Sequence, residues 1–171
     1  MTARVQQRLV LATLCGCLVA ACAASHSDEG VRVHNERSGY SVVAPRGWQA
    51  HEAFGSTIYV DPNDQHRSVA IRSVAIRGDV KAGGALTSTG AAISALPEVE
   101  LQGQESITEP MPGALYSLTF APPGSATRYR RLHVVLQGES HVFHIIETVP
   151  AADELDIETL TGIVAGFREE V

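Results

Sequence analysis

The sequence predicts an α+β fold, in which an antiparallel β-sheet of about six to eight strands packs with two main helices. Two patterns support this fold class. Short segments in which apolar and polar residues alternate recur from Val31 onward, and proline, glycine or Asp/Asn turns close them. Two stretches, at about 82–96 and 154–168, instead carry apolar residues three or four positions apart, the spacing of one helix face. We therefore expect residues 31–171 to form a single globular domain.

The first two strands are predicted as a hairpin. Residues 31–34 alternate between apolar and polar, residues 37–39 turn the chain, and residues 40–44 return as a second strand. Pro45 ends that strand because proline offers no N–H to a sheet. Trp48, the only tryptophan, is expected to fold back as a large apolar side chain.

Residues 39–48, which read Gly-Tyr-Ser-Val-Val-Ala-Pro-Arg-Gly-Trp, resemble the opening hairpin of the PsbP-like superfamily, which includes DcrB-type bacterial lipoproteins. In that superfamily, a similar stretch with a glycine, an aromatic residue, a proline and a tryptophan opens an antiparallel sheet covered by helices. The order of elements downstream is compatible with this resemblance over nearly all of 31–171. The resemblance implies the fold, and an accessory or assembly role of the kind that many PsbP-like proteins have.

The next predicted strand, 57–60, ends in the acidic turn 61–64. A calcium loop of the EF-hand type starting at Asp61 would need glycine at its sixth position and glutamate at its twelfth. His66 and Arg72 stand there instead. We therefore interpret the segment as an Asp-Pro turn and not as a metal site.

Residues 68–72 and 73–77 repeat the pentapeptide Ser-Val-Ala-Ile-Arg. Because five is odd and strand side chains alternate with period two, the apolar residues of the two copies would face opposite ways. Either the strand is covered on both faces, or a bulge near Arg72 and Ser73 restores the register. Both alternatives predict a central strand.

The rest of the chain supplies the two helices and four more strands. The strands are predicted at 99–108, 114–120, 127–136 and 141–149. In the helix near 82–96, several glycines each cost roughly 1 kcal/mol against alanine, so tertiary packing must hold it. The final helix has acidic residues in its first turns, where they suit the helix dipole, and one apolar stripe. Glu169 and Glu170 are expected to fray into solvent beyond it.

The hairpin around residues 137–140 sets which side chains meet across the last two strands. If Gly138 and Glu139 form its centre, His133 lies directly opposite His144 and Arg131 opposite Ile146 on one face. On the other face, Arg130 would lie opposite Glu147 as a charge pair worth at most about 1 kcal/mol.

The pair His133 and His144 is the one candidate for site chemistry. Directly opposed residues have Cβ atoms about 5 Å apart, close enough for two imidazoles to share a metal. A third ligand could come from His51, His66 or a carboxylate, but nothing fixes these nearby. The simpler interpretation is two half-exposed strand histidines. We therefore expect no resident metal, and we take the candidate ligand or partner surface to be Trp48, Arg131, His133 and His144.

No catalytic residues are predicted. The sequence has no Gly-x-Ser-x-Gly elbow, and Gly124 and Ser125 lie in a proline-rich loop. The paired glycines 83–84 lack the lysine of a phosphate-binding loop. We therefore expect a protein that is not an enzyme and has no cofactor. A hydrolase with an unrecognised site is the third-ranked hypothesis, after the two given below.

The N-terminal segment has the three parts of an export leader: the basic residues Arg4 and Arg8, an apolar run, and small residues before Cys22. Residues 18–22, Leu-Val-Ala-Ala-Cys, resemble a bacterial lipobox. The predicted organisation is a signal peptide at 1–21 and a lipidated cysteine with its tether at 22–30. The apolar run is shorter than the roughly 20 residues that span a bilayer. The alternative is an ordinary secretory leader cut after Ala24.

The net charge and the predicted export signal together indicate the expected function. The net charge of −6 becomes −8 if residues 1–21 are removed, since 11 basic and 19 acidic residues remain. Such a chain is a poor nucleic-acid binder. Acyl chains such as palmitate on Cys22 would anchor it to the cell envelope. In a two-membrane bacterium, the resemblance to sorted lipoproteins implies that Ala23, where an aspartate would hold the protein in the inner membrane, directs it to the periplasmic side of the outer membrane. We expect a membrane-tethered, non-catalytic lipoprotein that binds an envelope protein as an accessory or assembly module. The alternative is a small-ligand or metal carrier that uses His133 and His144.

Overall fold

The computed structural model describes residues 30–76, 84–96 and 98–170, without the side chains of Ala85 and Ser94. Within these ranges the chain forms a seven-stranded antiparallel sheet, a three-stranded sheet and two α-helices. The predicted α+β class is therefore confirmed. The leader, Cys22 and most of the predicted tether lie outside the described residues, as does Arg77 of the repeated pentapeptide.

The strands in the first half of the chain are β1 Val31–Asn35, β2 Tyr40–Ala44, β3 Gln49–Ala53, β4 Ser56–Asp61 and β5 Asp64–Ala75. Those in the second half are β6 Val99–Ile107, β7 Gly113–Phe120, β8 Tyr129–Gln137, β9 His141–Pro150 and β10 Arg168–Glu169. The helices are α1 Gly84–Ser94 and α2 Ile157–Ala165. A short 3₁₀ turn, Glu36–Ser38, joins β1 to β2.

The three-stranded sheet contains the predicted opening hairpin. Its order is β1-β2-β10, and all pairs are antiparallel. Gly39 has a φ of +67° at the turn, a left-handed conformation that glycine adopts without strain. Strand β10 was not predicted, because it is only two residues long and pairs with Ser41 and Tyr40, far away in the sequence.

The seven-stranded sheet has the order β3-β4-β5-β9-β8-β7-β6, with β9 in the middle. Strand β3 was also missed by the sequence analysis. Its sequence, Gln-Ala-His-Glu-Ala, lacks an apolar face, and its residues are exposed or half-buried at one edge of the sheet. The pairing of β3 with β4 holds it in place.

The two faces of this sheet are packed differently. The inner face, defined here as the one against the three-stranded sheet and α2, carries the larger core, in which the rings of Tyr40, Phe143 and Phe167 meet at centroid distances of 4.8 to 6.1 Å. The opposite, outer face carries a smaller cluster that includes Ile93 of α1 and Tyr116. Thus α1 covers only part of the outer face.

Strand β5 resolves the question of the repeated pentapeptide. Its pairing with β9 is continuous from Val69 to Ala75, so no bulge occurs near Arg72 and Ser73. Val69 and Ile71 are buried in the inner core, whereas Val74 is 42% exposed and faces outward. The strand therefore has apolar residues on both faces, and the outer ones are only partly covered.

Helix α2 is shorter than the predicted 154–168. Its N-cap is Asp156, whose side chain accepts a hydrogen bond from the Thr159 N–H at 3.0 Å, so the preceding acidic residues lie outside the helix. The chain beyond it does not fray, since Arg168–Glu169 forms β10. No helix among the described residues is both long and apolar enough to cross a bilayer.

Candidate binding surface on the outer face

The register of β8 and β9 differs from the prediction by two residues. Leu132 pairs with Glu147, and Arg130 pairs with Val149, so the predicted Arg130–Glu147 charge pair is wrong. The last pair before the loop is Gln137 with Val142, which leaves a connection of four residues instead of two. The loop is longer because a distant carboxylate satisfies its backbone.

That carboxylate belongs to Glu169. Its oxygens accept hydrogen bonds from the backbone N–H groups of Glu139, Ser140 and His141, at 2.5 to 2.9 Å. Glu169 thus closes the loop between β8 and β9 from a position about thirty residues later in the chain. This corrects the expectation that Glu169 is solvated.

A shift of two residues preserves the face on which each side chain lies. His133 pairs with Ile146, and His144 pairs with Val135, so the two histidines are not directly opposed. They are diagonal neighbours on the outer face, and His133 Nε2 lies 3.0 Å from His144 Nδ1. The predicted direct opposition is wrong, but the two rings still meet.

Both histidines are held in the neutral form. His133 is 8% exposed and packs against Tyr116, with ring centroids 6.4 Å apart. Burial, together with the neighbouring His144 and Arg131, lowers the pKa of His133 to about 3. Burial and the charge of Arg72 lower the pKa of His144 as well. At neutral pH one ring therefore donates to the other, as an N–H···N hydrogen bond.

Arg131 lies next to this pair on β8. It pairs with Thr148, where the sequence analysis had placed Ile146 opposite it. Its Nε donates to Thr148 Oγ1 at 2.9 Å, and its guanidinium carbon lies 4.5 Å from the ring centroid of Phe120. Burial lowers the pKa of Arg131. Stacking on an aromatic ring stabilises a cation, but it does not neutralise the charge.

Arg72 completes the arrangement. It is exposed on β5 and pairs directly with His144 across β5 and β9. The four side chains Arg72, His144, His133 and Arg131 form a line across three neighbouring strands, which we call the basic row. Arg72 was not among the predicted surface residues, because local sequence patterns do not reveal the pairing of β5 with β9.

Trp48 does not belong to this surface. It is half-buried and packs against the core on the inner side, with the guanidinium carbon of Arg67 6.0 Å from its ring centroid. The structure thus brings together Arg131, His133 and His144 of the predicted surface, and it places Trp48 elsewhere.

Among the described residues, this region contains two imidazoles that could act as metal ligands, those of His133 and His144. In the described parts of the chain, no three His, Cys, Asp or Glu side chains cluster as metal ligands, and neither His51 nor His66 joins the pair. Protein sites for zinc supply three or four ligands. The geometry of the row suits hydrogen bonding and charge recognition better than metal coordination.

A buried carboxylate lies on the inner face, behind the row. Glu147 is 2% exposed, and its Oε1 accepts a hydrogen bond from the Asp156 N–H at 2.7 Å. Its Oε2 has no hydrogen-bond partner among the described residues. Burial raises the pKa of Glu147 to about 7, and the charge of Arg67 opposes this rise. The sequence analysis missed this group because it placed Glu147 against Arg130.

The hairpin tip between β3 and β4 is a further unusual feature. Phe54 is fully exposed and has a φ of 53°, and Gly55 follows with a φ of 74°. Two successive left-handed residues form the hairpin turn that Asn-Gly sequences favour, so a phenylalanine is strained there. Phe54 lies at the rim of a cleft of about 440 Å³ that Arg37 and His141 also line.

Two solved structures resemble this fold. The solution structure of cyanobacterial PsbP (CyanoP) from Synechocystis sp. PCC 6803 matches with a TM-score of 0.56 and 12% sequence identity, over 88% of this chain and 98% of that one. The fold is PsbP-like. This confirms the fold that residues 39–48 implied.

A crystal structure of a protein from Bacteroides thetaiotaomicron VPI-5482 also matches, with a TM-score of 0.61 and 14% identity over 84% of this chain. The match spans about half, 49%, of that protein's length. At these identities the similarities show the PsbP-like fold alone. No protein-family profile matches the sequence, and no curated protein is significantly similar to it.

Proposed function

We propose that this protein is a lipid-anchored binding module of the bacterial cell envelope, which holds a protein partner on the outer face of its seven-stranded sheet. The lipobox-like residues 18–22 support the anchor. The basic row supports the binding surface, because Arg72 and Arg131 form no ion pair with any described residue. That uncompensated charge, on a face that the described helix α1 covers only in part, is the observation that carries the proposal.

The outer face is also suited to a partner by its apolar residues. Ala70 and Ile146 pair across β5 and β9, and both are only half-buried, as is Phe120 on β7. Aromatic residues and arginine are enriched in protein interfaces, and Phe120 with Arg131 supplies both here. A partner that covered this strip would remove apolar area from water at about 25 cal/mol per Å².

An anchor attached ahead of Gly30 would leave the outer face accessible. Gly30 leads into β1, which pairs with β2 in the sheet on the inner side. The predicted tether of eight residues, 23–30, reaches at most about 29 Å. The anchor would therefore attach on the side away from the basic row, and the row would face the aqueous compartment.

The anchor is tested with the full-length protein and its Cys22→Ser variant. We expect the unmodified chain in the membrane fraction, with a diacylglyceryl mass on Cys22, and the variant in the soluble fraction. An unmodified Cys22 on a chain cut after Ala24 would contradict the anchor.

The binding face is tested by crosslinking in intact envelopes and by comparing two neutral substitutions. Ile146→Gln changes the outer face, and the matched control Ile157→Gln changes an exposed isoleucine on α2. We expect one repeatable partner that Ile146→Gln loses and Ile157→Gln keeps, with both variants unfolding at the same temperature within a few degrees. Equal recovery by both variants would contradict the assigned face.

A zinc carrier remains the second candidate, because His133 and His144 meet at 3.0 Å near the uncovered part of the sheet. Titration with zinc, followed by calorimetry, separates the two functions. Heat that disappears in His133→Ala would favour the carrier, and the absence of heat would remove it.

A further inference from the structure

The charge of the outer face is opposite to the charge of the whole chain. The chain carries a net charge of −6. Every second residue of β5, β9 and β8 faces outward. Between the row of the sheet that contains Arg72 and the row that contains Arg131, none of these outward-facing residues is acidic. They are Ser68, Ala70 and Arg72 on β5, His144, Ile146 and Thr148 on β9, and Arg131, His133 and Val135 on β8.

Two other arginines of the chain pair with its own carboxylates. Arg67 contacts Asp61 at 3.4 Å and also contacts Asp156, and Arg128 contacts Glu100 at 3.3 Å. Arg131 is more deeply buried than either of these, yet its Nη atoms have no hydrogen-bond partner among the described residues. Keeping a half-buried guanidinium without a counter-charge is costly, so the missing carboxylate is expected to come from a ligand.

The distance between the two arginines indicates whether their ligand is a peptide segment or a single small anion. They lie two strands and four residues apart, and with strands about 4.8 Å apart and a rise of about 3.3 Å per residue, their Cα atoms are about 16 Å apart. Arg131 also leans away from Arg72, because it stacks on Phe120 of β7. One phosphate or carboxylate could not bind both, whereas carboxylates on one face of an extended peptide, four or six residues apart, could.

The groups between the arginines suit a peptide as well. His144 and His133 are neutral at pH 7, and this hydrogen-bonded polar pair lies between the two cations. Ala70 and Ile146 provide a half-buried apolar strip beside them. The row therefore has a cation at each end, a polar pair between them and apolar surface beside it, which complements an extended segment of acidic and apolar residues.

Given the binding role proposed above, we infer that the partner presents an extended acidic segment of protein that lies across the basic row, with two carboxylates bound by Arg72 and Arg131. The position of Gly30 favours a protein over a lipid headgroup as the source of the negative charge. Gly30, the first described residue, leads into β1 of the sheet that packs on the inner face, opposite the row.

The test uses the purified full-length protein in detergent and a fluorescent peptide of six Glu-Val repeats, with a Gln-Val peptide as the uncharged control. Binding is followed by fluorescence anisotropy at two salt concentrations. We expect the Glu-Val peptide to bind and the Gln-Val peptide to bind at least tenfold more weakly. Binding should also weaken as salt rises.

Matched variants assign the contact to the row. We expect the double variant Arg72→Gln/Arg131→Gln to bind the Glu-Val peptide at least tenfold more weakly. The control Arg37→Gln/Arg46→Gln removes the same charge from exposed positions in other loops and should change affinity less than twofold. Arg72→Gln alone alters only an exposed side chain, so its several-fold loss provides a test that does not depend on replacing half-buried Arg131.

Four results would overturn the inference: no binding of the Glu-Val peptide, equal losses in the row and control variants, displacement of the peptide by millimolar inorganic phosphate, or tighter binding to phosphatidylglycerol vesicles than to the peptide. If the peptide fails while Ile146→Gln still loses the envelope partner, the binding role stands and only the acidic nature of the partner is wrong.

Discussion

Glu147 should make the stability of this domain depend on pH in an unusual direction. Its carboxylate is 2% exposed, and one oxygen lacks a hydrogen-bond partner among the described residues. Burial raises the pKa of Glu147 from 4.5 to about 7. A raised pKa means that the folded state binds the proton more tightly than the unfolded state, so the stabilising contribution is complete below pH 4.5 and is lost as pH rises through 7.

The size of the effect follows from the shift. At 1.36 kcal/mol per pKa unit, a shift from 4.5 to about 7 corresponds to a cost of about 3 kcal/mol for ionised Glu147 above pH 8. The variant Glu147→Gln imitates the protonated group and cannot ionise. We expect it to be about 3 kcal/mol more stable than the natural chain at pH 8.5 and nearly equal to it at pH 4.5.

Urea unfolding at a series of pH values measures this difference. The comparison of the two chains at each pH isolates Glu147 from every other group, because the two chains differ at that residue alone. A difference that stays constant from pH 4.5 to 8.5 would refute the reasoning, because it would show that Glu147 has the same pKa in both states. A natural chain that is more stable than Glu147→Gln at pH 8.5 would refute it as well.

Three further predictions concern other described residues. The pKa of His133 is lowered to about 3, so the neutral His133 side chain stabilises the fold above pH 6.5 and this stabilisation is lost as pH falls. At pH 5 the free energy of unfolding is expected to fall by about 2 kcal/mol through this residue. Urea unfolding of His133→Gln, whose side chain cannot ionise, should not show this loss. Phe54→Asn relieves the left-handed strain at the β3–β4 turn and should raise the free energy of unfolding by about 0.5–1 kcal/mol in thermal or urea unfolding, whereas a decrease would show that Phe54 packs in the folded state. Glu169→Gln weakens three backbone hydrogen bonds to the β8–β9 loop and should lower the free energy of unfolding by about 1–3 kcal/mol, with faster amide exchange at Ser140, while unchanged exchange would contradict its role.

The strands that local sequence patterns define were predictable. Strands β2, β4, β7 and β9 contain alternating apolar residues between turn signals, and each lies within about two residues of its predicted bounds. Strands β3 and β10 have no apolar alternation, and only their partners hold them in the sheets. Such strands depend on tertiary pairing, which a local pattern does not encode.

The candidate surface was predictable only in part, for a related reason. Arg131, His133 and His144 share a face under any register shift of an even number of residues, so their grouping survived the error in the hairpin. The positions of Arg72 and Glu147 depended on how β5 and β9 pair and on the length of the loop. Glu169 sets that length from about thirty residues away in the chain, which the turn sequence does not reveal.

The most direct test of the proposed function places a photo-crosslinking amino acid at Ile146 in the full-length protein in living cells, with Ile157 as the control position. The account predicts a partner protein crosslinked at Ile146 and not at Ile157, through a segment rich in Asp and Glu. Crosslinks of equal yield at both positions, or crosslinks at Ile146 to lipid alone, would contradict it.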